Sequence, residues 1–153
     1  MRIALYQPDI PQNTGSILRT FACLGIGVDI IEPCGFVWGN KQMKRVSLDY
    51  LDKASFVRHS DWSAFQGARK SYRKVLLTTK TNLAFIDFKF EVNDILILGQ
   101  ESAGVPAEVH ESVDARITIP LEAGLRSFNQ AIAAAIVGGE ALRQLNAFPR
   151  IHA

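Results

Sequence analysis

The sequence predicts an α/β fold, a mostly parallel sheet with helices on both faces. Three observations carry the prediction. Short runs rich in Ile, Val and Leu alternate with stretches of helical periodicity along the 153 residues. One run, Ile95-Leu96-Ile97-Leu98, is apolar without interruption, as a strand covered on both faces must be. Proline and glycine fall between the runs and punctuate them.

The elements follow in order. Arg2 to Tyr6 reads as the first strand, and Pro8 and Pro11 force a loop after it. Asn13 is a suitable cap for a helix that carries Ile17, Leu18, Phe21, Ala22 and Leu24 on its apolar side, and Gly25 ends it. Gly27 to Ile31 is the second strand, followed by an irregular stretch from Pro33 to Lys41. Ser55 to Arg58 reads as a short strand, Asp61 to Ala68 as a helix capped by Asp61, and Val75 to Thr79 as a strand. Asp94 to Leu98 is the buried strand, and Pro106 suits the first turn of a short helix. Arg116 to Ile119 is the last strand, and a final helix runs from about Ser127 to Asn146. Its centre, Ala131 to Gly139, reads AIAAAIVGG without a charge, which predicts burial on most faces. Gly138 and Gly139 make sense there if another backbone packs close.

Composition narrows the function. Hydrophobic residues make up 48% and charged residues 21%, so the chain is globular and is expected to form one domain over residues 1–153. The N-terminal apolar run is too short for a signal peptide, and no window approaches a membrane span, so a cytoplasmic location is expected. Cys23 and Cys34 lack metal-ligand spacing and read as core or near-core thiols. His59, His110 and His152 are scattered and read as surface or loop residues, so no metal is expected. The net charge of +2 is too mild to announce a nucleic-acid binder. Two basic clusters stand out, Lys41 with Lys44 and Arg45, and Arg69, Lys70, Arg73 and Lys74.

Three common motifs fail. Gly25-Ile26-Gly27 precedes a strand and lacks its third glycine, so it is no dinucleotide fingerprint. Gly35 to Lys41 has Asn40 where a phosphate loop needs glycine. In Gly99-Gln100-Glu101-Ser102-Ala103-Gly104 the serine falls one residue late for a nucleophile elbow.

Three other segments remain. The first is Pro11-Gln12-Asn13-Thr14-Gly15-Ser16-Ile17-Leu18-Arg19-Thr20, a loop entering a helix. The second is Ile97 to Pro106, a strand running into a glycine-rich loop. The third is Ile117-Thr118-Ile119-Pro120-Leu121, then Gly124-Leu125-Arg126-Ser127-Phe128-Asn129 and the small-residue helix. Their order and content resemble the three motifs of the SPOUT 2′-O-ribose methyltransferases across the whole chain. The short length, together with Ile31-Glu32-Pro33, Gly35-Phe36 and Leu48-Asp49-Tyr50, resembles the TrmL type, which modifies the wobble nucleotide of tRNA. Phe128 and Gln100 depart from the usual motif residues, leucine and proline, but spare the polar positions.

The resemblance implies a C-terminal trefoil knot, a homodimer, a tRNA partner and S-adenosylmethionine as cofactor, leaving as S-adenosylhomocysteine. It assigns Leu77, Thr78, Gly99, Ile119, Leu121, Leu125 and Ser127 to the cofactor. It makes Arg19, Glu101 and Asn129 the catalytic candidates, with Asn13, Arg19 and Arg126 facing the RNA, and the two basic clusters, Lys41 to Arg45 and Arg69 to Lys74, are the candidates for further phosphate contacts. A guanidinium stays protonated in proteins, so Arg19 is better suited to gripping the target phosphate than to taking a proton. Glu101 is suited to accepting the proton or to securing a partner. The alternatives are a ribose methyltransferase for ribosomal RNA or another tRNA position, and a non-catalytic RNA-binding factor on the same fold.

Overall fold

The computed structural model describes residues 1–39, 41–47, 50 and 52–151. Asn40, Leu48, Asp49 and His152, named above, lie outside the described residues. Six strands form one sheet in the order β3-β2-β1-β5-β4-β6. They are β1 Arg2–Tyr6, β2 Val28–Ile31, β3 Phe56–His59, β4 Arg73–Leu77, β5 Asp94–Leu98 and β6 Ala115–Ile117. Each neighbouring pair runs parallel. The helices are α1 Pro11–Cys23, α2 Lys41–Ser47, α3 Trp62–Ala68, α4 Ala107–Ser112 and α5 Gln130–Gln144.

The sheet has two apolar faces. One packs Ile3, Leu5, Ile30, Leu96 and Leu98 against α1 and α5 through Phe21 and Val137. The other packs Ala4, Ile31, Leu76 and Ile97 against α3 and α4 through Phe65 and Val109. All five residues of β5 are buried, as its uninterrupted apolar run predicts.

Several expectations need correction. Helix α1 begins at Pro11, because the fixed φ of proline suits the first helical position, and no side chain caps it. Asn13 is therefore inside the helix, free to bond elsewhere. Asp61 does cap α3, accepting from the Ala64 N–H at 2.8 Å. The basic stretch Lys41–Ser47 forms α2, which crosses α1 closely, since a Cβ on Gly15 would lie 2.7 Å from the Met43 carbonyl oxygen. Gly138 of α5 is filled by the Phe21 ring and not by a backbone, a Cβ there lying 2.7 Å from Phe21 Cζ. Helix α5 is buried on one face only, with Ile132 52% and Ile136 36% exposed. Cys23 is exposed, and Cys34 is half-buried with burial pushing its thiol up to about 11.

His59 is buried as well, because Asp29 needs it. Asp29 is fully buried on β2 and is ringed by donors. Arg2 Nε donates at 2.6 Å, Arg69 Nη2 at 2.8 Å, and His59 Nε2 lies 2.7 Å away. Burial alone would raise the Asp29 pKa, but the hydrogen bonds from Arg2, Arg69 and His59 outweigh it and hold it below the usual value. Arg73 makes a comparable pair with buried Asp94 at 2.7 Å. Two members of the second basic cluster, Arg69 and Arg73, are thus occupied by carboxylates and are not available to RNA phosphates.

Asp29→Asn should cost about 3–5 kcal/mol in denaturant unfolding, because it strands the arginines without a counter-charge. Since the folded pKa is lowered, the stability Asp29 supplies is present above its unfolded value, roughly 3.9. It is lost as the pH falls through the folded value. A loss under about 1 kcal/mol would show that the pairing is dispensable.

Candidate active site

In a parallel sheet, ligand sites form beyond the carboxyl ends of the strands. Here β1, β4, β5 and β6 deliver Asp9, Thr78, Gly99 and Thr118 to the same end. A cavity of about 620 Å³ opens there. This lies within the roughly 300–1,000 Å³ of small-molecule sites.

The three sequence segments meet at this cavity. Gly99 turns β5 into a loop that closes on itself, with Gln100 N–H donating to the Gly104 carbonyl at 2.8 Å and Gly104 N–H to that of Gln100 at 2.7 Å. A Cβ on Gly99 would lie 2.7 Å from the Gly104 carbonyl carbon, so the loop itself demands glycine. Asn129 caps α5, its Oδ1 accepting from the N–H groups of Ala131 at 2.9 Å and Ile132 at 3.3 Å. That turns its amide nitrogen outward, to donate to Asn13 Oδ1 at 2.8 Å. Asn13 in turn points its own amide nitrogen at Glu101 Oε1, 3.4 Å away. Gln130 Nε2 completes the circuit by donating to the Gly99 carbonyl at 2.5 Å.

Glu101 lines the cavity. Burial, then the neighbouring Asp9 carboxyl, pushes its pKa up to about 7. A carboxyl with that value exchanges protons readily near neutral pH.

Most of the expected residues come together. Asn13, Leu77, Thr78, Gly99, Glu101, Ile119, Leu121, Ser127 and Asn129 all line the cavity. Leu125 does not, being 69% exposed on the turn where its N–H meets the Glu122 carbonyl. Arg126 is exposed next to the lining residue Ser127. Arg19 is also outside the cavity lining. It lines a second concavity with Ser16, Thr20, Arg45 and Val46, and its guanidinium lies 5.4 Å from the Tyr50 ring centroid. The close crossing at Gly15 is what sets Arg45 beside Arg19. Lys41 is exposed at the start of α2. Lys41 and Arg45 have no ion pair among the described residues, so this basic cluster is available to phosphates.

Sequence reasoning missed Ile10, Val105, His110 and Gln130, which also line the cavity. His110 Nε2 and Gln130 Oε1 are buried without a hydrogen-bond partner among the described residues. No motif marks either residue, and only the folding of α4 and α5 around the cavity places them.

The apolar walls from Leu77, Ile119 and Leu121, the polar rim and the volume suit a ligand of nucleoside size. Comparisons with known proteins agree. The chain is 50% identical over 151 residues to the tRNA (cytidine(34)-2'-O)-methyltransferase of Beijerinckia indica subsp. indica, covering 97% of this chain and 94% of that one. A solved structure concerned with the 2-OH methylation of C/U34 on tRNA superposes with a TM-score of 0.90 at 34% identity, covering 95% of both chains. The SpoU methyltransferase AviRb from Streptomyces viridochromogenes, in complex with the cofactor AdoMet, superposes with a TM-score of 0.85 at 25% identity, over 95% of this chain and 60% of that one. Fold, site and these similarities together define a methyltransferase. Residues 1–138 match the SpoU rRNA Methylase family, and the chain belongs to it.

Proposed function

We propose that this protein methylates the ribose 2′-hydroxyl of the wobble nucleotide, a cytidine or uridine derivative, in the tRNA anticodon loop. The observation that carries the reading is the Asn129–Asn13–Glu101 chain of polar groups at a nucleoside-sized cavity, in a chain 97% covered by its similarity to a tRNA (cytidine(34)-2'-O)-methyltransferase. S-adenosylmethionine, bound along Leu77, Thr78, Gly99, Ile119, Leu121 and Ser127, supplies an activated methyl group. Glu101 accepts the hydroxyl proton, and Asn13 and Asn129 hold Glu101 in place. Arg19 and Arg45 grip phosphates flanking the target, and Lys41 and Arg126 extend the RNA surface. No metal enters this scheme. The place of action follows the substrate, in the cytoplasm, and the whole of 1–153 serves as one catalytic domain. The C-terminal trefoil knot is part of this reading through the resemblance to the family.

Sequence-specific RNA recognition favours single-stranded loops with splayed bases, which the anticodon loop offers. Labelled S-adenosylmethionine and total tRNA should yield 2′-O-methylation at the wobble position, read by digestion and mass spectrometry. A methyl group on ribosomal RNA or on a ribose elsewhere in tRNA would contradict the substrate assignment. Cofactor binding with no transfer to any RNA would favour the non-catalytic reading. Arg19→Ala should keep cofactor affinity and slow turnover by about 100-fold, and Arg19→Lys should also be impaired. Near-normal turnover in Arg19→Ala removes Arg19 from the reaction.

The protein works as a homodimer in this reading. Ile132 and Ile136 lie one turn apart on α5, half-exposed on a helix whose centre carries no charge. A two-fold partner would cover them and would also place its basic surface near the cavity. Analytical ultracentrifugation at micromolar concentration should give a dimer, and a stable monomer would contradict the assignment.

A further inference from the structure

Asp9 lies outside the three motif segments, yet it is tied to Glu101 from both sides. The Asp9 N–H donates to Glu101 Oε2 at 3.0 Å, and the Glu101 N–H donates to Asp9 Oδ1 at 3.1 Å. Each carboxyl group thus caps the other residue's main chain, which draws the two headgroups together. The Ser102 hydroxyl donates to the second Asp9 oxygen. Gly35 closes the back of the arrangement, since a Cβ there would lie 2.7 Å from Asp9 Cβ. Of the two carboxyls, Glu101 lines the cavity and Asp9 stands behind it.

We propose that Asp9 is a positioning residue for methyl transfer: its carboxylate shares one proton with Glu101 and so sets the pH at which Glu101 accepts the ribose proton. This rests on the methyltransferase reading above. In the step itself the ribose O–H bond breaks and its proton moves to a Glu101 oxygen. The ribose oxygen's electron pair forms the new O–C bond, and the departing sulfur keeps the C–S pair. Two carboxyl groups held this close do not both ionise easily, so the pair keeps one proton to higher pH than either would alone. The electrostatics follow the geometry. The Asp9 carboxyl is held low, first by its hydrogen bond with Glu101, while burial and Asp9 raise Glu101. Other groups face the pair too. Asn13 approaches from α1, and the Cys34 thiol, flanked by Glu32 and Arg58, feels the Glu101 charge from the loop after β2. Lys80 and His110 line the same cavity.

The test is a pH titration of the whole protein with two readouts. One is the carboxyl-carbon NMR resonance of Glu101 in the free protein, and the other is the single-turnover methylation rate with tRNA. In the wild type, both should show a midpoint near 7, with the rate rising as the pH climbs and Glu101 loses its proton. Asp9→Asn removes the competing charge and should lower both midpoints by about one unit or more. Ser102→Ala removes a donor from the Asp9 anion, strengthens its hold on the shared proton and should raise both midpoints. It also keeps the inference testable should Asp9→Asn fold poorly. A merely structural Asp9 lowers the rate at every pH and leaves the midpoints in place, and that result, or an unmoved midpoint in Ser102→Ala, overturns the inference. Wild-type protein that transfers no methyl group to tRNA overturns the methyltransferase reading instead, whatever the NMR midpoints do.

Discussion

The cap at the start of α5 is the constraint on which the site depends. The first turn of a helix leaves backbone N–H groups without partners, and Asn129 Oδ1 meets two of them. That choice fixes the direction of every polar group that follows. The Asn129 amide nitrogen must face away from the helix, so it meets an oxygen of Asn13, whose own nitrogen is then turned to Glu101. Gln130, one residue further on, binds the Gly99 carbonyl. Segments from residues 9–13, 99–102 and 129–130 are thereby tied pairwise in a closed triangle. Contacts that span roughly the length of the chain hold the cavity wall.

The rest of the molecule supports that triangle from a distance. The buried ion cluster at Asp29 fixes β1, β2, β3 and the end of α3, on the opposite face of the sheet from α1 and α5. Buried pairs of this kind do little for net stability but penalise mispairing strongly, because any misplaced strand strands a charge. The register of β1 therefore places Asp9 where Glu101 needs it. The Gly15 crossing does the same for α1 and α2, setting a concavity with two arginines on the helix that also carries Asn13.

Much of this was legible in the sequence. The buried β5 run, the Asp61 cap and the three motif segments all appear where their residues imply. Nine of the expected site residues line one cavity, because a motif encodes local backbone and local polarity together. What was not legible depended on distant partners. Asn13 reads locally as a helix cap, and only Pro11 and the far residues Asn129 and Glu101 give it another role. Arg69 and Arg73 look like solvated charge until Asp29 and Asp94 arrive beneath them. His59 looks like a loop histidine for the same reason. Helix α5 is uncharged, yet periodicity alone does not say that Phe21 fills the space at Gly138 while Ile132 and Ile136 stay exposed.

The central claim is that the three segments form one cofactor site and act as a unit. Hydrogen exchange read by mass spectrometry, with and without S-adenosylmethionine, tests it most directly. Saturating cofactor should slow exchange together in the segments that line the cavity, at residues 76–80, 98–105 and 118–133. It should also slow exchange at the Asn13 end of α1, and leave α2 and α3 unchanged. Protection confined to a single segment, or appearing instead around Arg19 and Arg45, would contradict the account.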